Sequence, residues 1–180
     1  KSNITLELEA GATLRFSDNF DDYMPFVEMR HEGVMMKSFQ PLIYATDAEN
    51  ITIKGEGKLD GQGKAWWKEF FLVLIDLRDN GKRDINKYQP LFEQANDMKT
   101  LYAETNVDWH STLDRRFLRP PFIQPLRCRN VRIEGITIVN SPFWTVNPNF
   151  CDNVTVKGVT INNVPSPNTD GINPESCSNV

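Results

Sequence analysis

One carboxylate on a polar turn is the side chain best placed for chemistry in this 180-residue sequence. Asp170 follows Pro167, Asn168 and Thr169 and directly precedes Gly171. A carboxyl group held on a turn can transfer a proton as a general acid or base. An Asp-Gly pair is also a common way to form a turn without any catalytic role. The turn on its own favours this purely structural role, so the chemistry depends on what surrounds Asp170.

A run of arginines precedes this turn in the sequence. The planar guanidinium fork binds carboxylates through two parallel hydrogen bonds, which suits an anionic sugar polymer. A solvated surface with salt bridges is the more usual explanation for such a run. The six residues lie within 18 positions: Arg115, Arg116, Arg119, Arg127, Arg129 and Arg132.

The three cysteines of the chain recur at one phase of an internal repeat. Cys128, Cys151 and Cys177 are candidates for a metal site or a disulfide. The chain has no C-x-x-C pair and only two histidines, whereas clustered Cys and His ligands are typical of zinc sites. The pattern therefore predicts an inward stack of small side chains and no metal site, although neighbouring coils are compatible with one disulfide.

The internal repeat indicates the scaffold that must position these residues. The segment 128–142 aligns with 151–165 at an offset of 23, and Cys, Asn, Val, Gly, Thr, Ile and Pro recur in it. Shorter copies occur at 3–6, 48–55 and 177–180. A period in the twenties is typical of a solenoid, and alternating apolar residues indicate short strands. With no helix of crossover length between consecutive units, we predict an all-β, right-handed parallel β-helix. A leucine-rich repeat is the rival, but the units carry Val, Ile and Thr in place of leucine.

The repeat disappears between 64 and 124. We predict one β-helix domain over 1–180, incomplete at its C-terminus, that contains 64–124 as an insertion or as irregular coils with helices near 65–71 and 91–102. Long loops on a rigid scaffold commonly carry recognition. Trp66, Trp67 and Trp109 in this segment either stack on sugar rings or pack the segment onto the coils.

Charge and glycine patterns exclude several other functions. The net charge of −4 gives no support for binding nucleic acid or a membrane surface, and the longest apolar run, 70–75, is too short to span a bilayer. The glycine-rich segment 55–63 lacks the Lys-Ser/Thr pair of a phosphate loop, so turns between strands explain it better. Asp18, Asp21 and Asp22 lack the spacing of a calcium loop and indicate a solvated loop.

Four motifs in order resemble glycoside hydrolase family 28, the polygalacturonases and related pectin hydrolases. They are Leu-Asp-Gly-Gln-Gly at 59–63 with Trp66-Trp67, Arg-Pro-Pro at 119–121, Asn-Ser-Pro-Phe-Trp-Thr at 140–145, and Ser-Pro-Asn-Thr-Asp-Gly-Ile at 166–172. The resemblance implies a right-handed parallel β-helix that hydrolyses α-linked galacturonan with inversion by means of three aspartates. Asp170 matches the first aspartate. The Asp-Asp pair, the Gly-His-Gly and the Arg-x-Lys that follow it in the family do not occur between Asp170 and Val180.

The resemblance also assigns roles to two residues of the turn. Asp170 is expected to be catalytic, acting on the attacking water together with one further aspartate, and Asn168 is expected to orient Asp170 or bind substrate. A chain that lacks the other aspartates is expected to be inactive alone. No cofactor is implied, the substrate is a pectic polysaccharide, and the full-length protein is expected to be a secreted or periplasmic monomer. A β-helical polysaccharide lyase and a non-catalytic carbohydrate-binding or adhesin β-helix remain alternatives.

Overall fold

The computed structural model describes residues 1–68 and 119–180, and the internal repeat of this part forms stacked coils of short strands. A 3-10 helix covers Phe20–Tyr23, and residues 64–68 form a helical turn. The strands are β1 (Ile4–Leu8), β2 (Thr13–Arg15), β3 (Val27–His31), β4 (Val34–Ser38), β5 (Ile43–Thr46), β6 (Glu49–Gly55), β7 (Lys58–Asp60), β8 (Ile123–Leu126), β9 (Arg129–Glu134), β10 (Thr137–Val139), β11 (Asp152–Lys157) and β12 (Thr160–Asn162).

Three parallel sheets form the faces of the coil stack in the described part of the chain. The first has the strand order β1-β6-β9-β11 and the second β2-β7-β10-β12. The third begins with β5 and β8 and continues through single bridges from Ile123 to Val146 and from Val146 to Ile172. This stacking confirms the predicted parallel β-helix. An antiparallel hairpin of β3 and β4 accompanies the coils.

The pairing register agrees with the repeat offsets in the sequence. Ile51 pairs with Val131, and Val131 pairs with Val154. Alternate residues point inward, so Ile53, Ile133 and the neighbouring repeat positions are buried while the residues between them face solvent. A strand's side chains alternate between its two faces, which is why the period of two in the sequence specifies the buried face.

An asparagine ladder runs along one corner of the stack. Asn3, Asn50, Asn130 and Asn153 all have φ between 56° and 60°, a left-handed conformation that asparagine tolerates better than most residues. The side-chain amides of Asn50, Asn130 and Asn153 each donate to the amide oxygen of the asparagine one coil earlier, at 2.8, 2.9 and 2.7 Å. The corner between two faces requires a left-handed backbone, which explains why asparagine recurs at this position of the repeat.

The cysteines form the predicted inward stack as free thiols. The backbone N–H of Cys128 donates to Sγ of Cys151, and that of Cys151 donates to Sγ of Cys177, both at 3.4 Å. The Cys151 thiol donates to Asn149 O at 3.3 Å. Its hydrogen bond with Cys128 and its burial raise the pKa of Cys151, which keeps this thiol neutral.

Trp66 lies in the core and is fully buried. Its indole stacks on Phe20 at 4.1 Å and contacts Tyr23 and Phe39 edge-on at 5.4 and 5.2 Å. Of the two interpretations offered for this residue, packing is correct and sugar stacking is wrong, because no face of the ring reaches solvent. Trp109 and the predicted helix at 91–102 lie outside the described residues.

Candidate active site

Asp170 lies where the last described coil enters the third face. The backbone N–H of Thr145 donates to Asp170 O at 2.9 Å, and that of Val146 donates to Gly171 O at 3.0 Å. The carboxylate is exposed. One of its oxygens accepts a hydrogen bond of 3.4 Å from Nδ2 of Asn173. The backbone of Asp170 is thus fixed by the neighbouring coil while its side chain stays open to solvent.

A buried asparagine braces the turn from inside. Asn163 is 8% exposed, and its Nδ2 donates to Thr145 Oγ1 at 2.7 Å and to Thr169 O at 3.2 Å. Its Oδ1 accepts from the backbone N–H of Ser141 at 2.9 Å. Hydrogen bonds to buried polar groups are expensive to lose, because the unpaired partner is left without water. The residue therefore locks the segment 163–170 to the preceding coil.

Asn168, the predicted substrate-binding residue, is exposed and has φ of 53°. Its Oδ1 accepts from Nη2 of Arg119 at 3.0 Å, and Nη1 of Arg119 donates to Pro167 O at 2.8 Å. The oxygen of Asn168 is thus occupied by the protein, and its Nδ2 is the group that remains to donate outward. The structure brings Asn168 and Asp170 together on one turn.

A chain of buried amides connects the β3–β4 hairpin to this turn. Gln124 donates to Arg30 O and to Asn147 Oδ1, both at 2.7 Å. Asn147 donates to Asn173 O at 2.7 Å, and Asn173 contacts Asp170 as described above. Gln124 and Asn147 are fully buried, so the support of Asp170 extends through the body of the coil stack.

Trp144 is a residue of this region that sequence reasoning missed. The bridge between Val146 and Ile172 places Trp144 in register with Asp170, one coil away and therefore about 4.8 Å along the stack. Trp144 is half-buried, and its indole stacks on the buried ring of Phe143 at 5.2 Å with an interplanar angle of 15°. The motif at 140–145 contained the signal, but only the strand register shows which acid Trp144 accompanies.

The arginine run separates into two groups. Arg127 contacts Asp47 at 2.7 Å and Glu28 at 2.9 Å. The hydrogen bonds that Asp47 accepts from Arg127 and from the Thr46 hydroxyl lower the pKa of Asp47 to about 2. Arg129 pairs with Glu49, and Arg132 pairs with Glu134. The interpretation as a salt-bridged surface is correct for these three arginines. Arg119, in contrast, is 1% exposed and serves the turn, and Arg115 and Arg116 lie outside the described residues.

The acidic loop is tied together by local hydrogen bonds. The Ser17 hydroxyl donates to Asp22 at 2.5 Å, and the Asn19 side chain accepts from the backbone N–H of Asp21 at 3.3 Å. Burial and the Asp22 carboxylate raise the pKa of Tyr23 to about 12.

Within residues 1–68 and 119–180, no three His, Cys, Asp or Glu side chains are grouped so that they could hold a metal ion. In the same ranges no helix is long and apolar enough to cross a bilayer.

Comparison with known proteins agrees with the fold and with the motifs. Residues 104–180 match the model of the family described as glycosyl hydrolases family 28. The family resemblance is confirmed. The chain is also similar to a probable polygalacturonase of Vitis vinifera. The two are 28% identical over an alignment of 185 residues, which covers 99% of this chain and 30% of that protein.

Solved structures extend the comparison. A hyperthermoactive exopolygalacturonase from Thermotoga maritima is 34% identical with a TM-score of 0.70, and the match covers 98% of this chain and 38% of that one. A polygalacturonase from Erwinia carotovora shares the fold at 24% identity and a TM-score of 0.61, over 99% of this chain and 40% of that one. The chain thus spans between 30% and 40% of the length of these three proteins.

Proposed function

We propose that this chain is part of a glycoside hydrolase that cleaves α-linked galacturonan, the backbone of pectin, with inversion at the anomeric carbon. The observation that carries the proposal is the exposed carboxylate of Asp170 on a braced turn of a parallel β-helix. The names of the similar polygalacturonases support the choice of substrate.

The proposed chemistry divides the work between carboxyl groups. In an inverting glycosidase one carboxylic acid protonates the leaving oxygen, while a second carboxylate, roughly 6.5–9.5 Å away, activates the attacking water. Asp170 acts on the water together with an aspartate of the following coil, and a further aspartate is the general acid. The exposure of Asp170 suits this role because the water must reach it from solvent. The mechanism uses carboxyl groups alone and no cofactor.

Two neighbours of Asp170 have supporting roles in this proposal. Asn168 donates through Nδ2 to a hydroxyl or carboxylate of the sugar, since its Oδ1 already accepts from Arg119. Trp144 offers a half-buried indole one coil away, where an aromatic ring supplies apolar contact area for the face of a pyranose. The substrate then lies along the stack and contacts successive coils.

One acid cannot supply both proton transfers, so we propose that residues 1–180 alone are inactive. The test compares this 180-residue chain with the protein expressed from its complete gene. Each is incubated with polygalacturonate, the reducing ends are measured, and the first anomer released is followed by NMR. We expect release of the inverted anomer by the complete protein and none by residues 1–180.

Variants of two aspartates make this test specific. Asp170→Asn is expected to abolish activity of the complete protein. Asp152→Asn, which changes a coil carboxylate whose partners are Ser178 and Asn179, is expected to leave activity unchanged. Turnover by residues 1–180, a retained anomer, or full activity of Asp170→Asn would contradict the proposal. An unsaturated product that absorbs in the ultraviolet would identify a lyase, and binding without cleavage would identify a non-catalytic β-helix.

The substrate determines the proposed location and state of the protein. Pectin is a polymer outside the cytoplasm, so we place the protein in the periplasm or among secreted proteins. The carboxyl groups that this mechanism needs all belong to one chain, so we propose a monomer for the full-length protein.

A further inference from the structure

We propose that Arg119 is a positioning residue that fixes the turn carrying Asp170, an inference that rests on the proposed function. Arg119 is 1% exposed. Its guanidinium donates to Pro167 O at 2.8 Å, to Asn168 Oδ1 at 3.0 Å and to Pro142 O at 3.5 Å. One side chain therefore bonds to both following coils, and two of these bonds end on the turn itself.

An aromatic ring fixes the guanidinium in place. Cζ of Arg119 lies 4.9 Å from the centroid of the buried Phe143 ring, a distance at which a cation is attracted to the face of the ring. Phe143 stacks in turn on His31 of the β3–β4 hairpin at 4.7 Å and 16°. The position of Arg119 is thus set by the core, and its two bonds to the turn transmit that position to Pro167 and Asn168.

The turn needs such an anchor because its own side chains face solvent. Asn168 and Asp170 are both exposed, and Asn168 adopts a left-handed backbone conformation. Asp170 follows Asn168 by two residues, so a shift of the Asn168 backbone moves the carboxylate relative to the substrate. A misplacement of about 1 Å can cost on the order of 10²-fold in rate without any loss of chemical groups.

Arginine is required here by geometry as well as by charge. Its rigid planar fork presents two nitrogens to two different acceptors at once, whereas lysine offers a single compact ammonium on a flexible stem. Arg119→Lys keeps the positive charge but replaces two donor nitrogens by one, so it cannot reproduce the separate bonds from Nη1 to Pro167 O and from Nη2 to Asn168 Oδ1. This substitution therefore separates positioning from simple electrostatics.

The experiment uses the complete protein for kinetics and both lengths of chain for hydrogen exchange. We expect Arg119→Lys to lower kcat on polygalacturonate by roughly 10²-fold while KM changes much less. We expect faster amide exchange at 166–170, with exchange in β9 and β11 unchanged. Arg127→Lys, which alters an exposed salt-bridged arginine of the same run, is the matched control and is expected to change neither kcat nor exchange in the turn.

A second variant keeps the test valid if Arg119→Lys fails to fold. Asn168→Gly removes the acceptor from an exposed position while it tolerates the left-handed backbone, and it is expected to lower kcat and to loosen the turn. When Arg119→Lys and Asn168→Gly are combined, their effects on kcat should be less than additive, because both substitutions remove the same hydrogen bond between the two residues. Additive effects, unchanged exchange at 166–170, or a fall in thermal stability with kcat intact would overturn the proposal. Amide hydrogen exchange at 166–170, measured on residues 1–180, tests whether Arg119 holds the turn even if the complete protein hydrolyses nothing.

Discussion

A column of glycines at one corner of the coil stack gives a graded test of the fold. Gly55, Gly135 and Gly158 occupy the same phase of the repeat and have φ of 121°, 76° and 62°. A Cβ added at Gly55 would lie 2.0 Å from Leu8 O, and one at Gly135 would lie 2.6 Å from Gly55 O. At Gly158 the nearest atoms are 4.0 Å away. The room available for the Cβ of an alanine therefore increases from Gly55 to Gly135 to Gly158.

The energetic cost follows from what Leu8 O does in the fold. This oxygen accepts from the backbone N–H groups of Glu56 and Gly57, both at 3.0 Å. To relieve a contact of 2.0 Å, the two coils must separate by more than about 1 Å, which breaks both hydrogen bonds at roughly 1 kcal/mol each. The positive φ adds about 1–2 kcal/mol for alanine. We expect Gly55→Ala to lose about 3–4 kcal/mol and Gly158→Ala about 1–2 kcal/mol.

Urea unfolding of the 180-residue chain measures these losses as changes in the free energy of unfolding. The expected order of destabilisation is Gly55→Ala, then Gly135→Ala, then Gly158→Ala, with the same dependence on urea concentration in each. Gly158→Ala is the control for an uncrowded site, and its comparison with Gly135→Ala isolates the contact best because the two glycines have similar φ, 62° and 76°. Equal losses at Gly55 and Gly158, or the largest loss at Gly158, would refute the argument from coil spacing.

Three further predictions concern the corner, the surface and the site. Asn130→Ala removes two ladder hydrogen bonds and strains a φ of 56°, so it should lower the free energy of unfolding by about 2–3 kcal/mol; Asn130→Gly should lose less, and equal losses would rule out the strain. The pKa of Asp47 is lowered to about 2 by Arg127, so the ionised form stabilises the fold above about pH 4 and this contribution is lost as the pH falls towards 2. The melting temperature of the Asp47→Asn variant should therefore fall less between about pH 4 and pH 2 than that of the unchanged chain. An equal fall in both proteins would contradict this. Trp144→Ala should weaken the binding of oligogalacturonate to the complete protein, measured by calorimetry, by roughly tenfold, about 1.4 kcal/mol; an unchanged affinity would exclude the stacking role.

The sequence predicted the scaffold well because one short-range rule governs it. Alternation of apolar residues fixes the face of each strand, and the offsets of 80 and 23 in the repeat are the same as the offsets from Ile51 to Val131 and from Val131 to Val154. Asn168 and Asp170 were predicted together because they lie two residues apart. Their catalytic and binding roles remain predictions.

The parts that the sequence did not predict depend on contacts between distant residues. Arg119 is one of six arginines in a run, and only its burial under a turn that starts about 48 residues later distinguishes it. The β3–β4 hairpin breaks the parallel pattern and carries no repeat signal. Trp144 lies in a motif, but its neighbour Asp170 is 26 positions away and becomes adjacent only through the strand register.

The unequal offsets of the coils have a consequence for the order of folding. Strands β9 and β11 pair across 23 residues, whereas β6 and β9 pair across 80. Closing the longer loop costs about 1 kcal/mol more in chain entropy, so we expect β9 and β11 to form first and the coil of β6 to join them later. Pulse-labelled hydrogen exchange would show protection at Val154 before Ile53, and simultaneous protection would contradict this order. The pairing of β6 with β9 is then a late step of assembly, and chains in which it has not yet formed expose the edge of β9 to other copies.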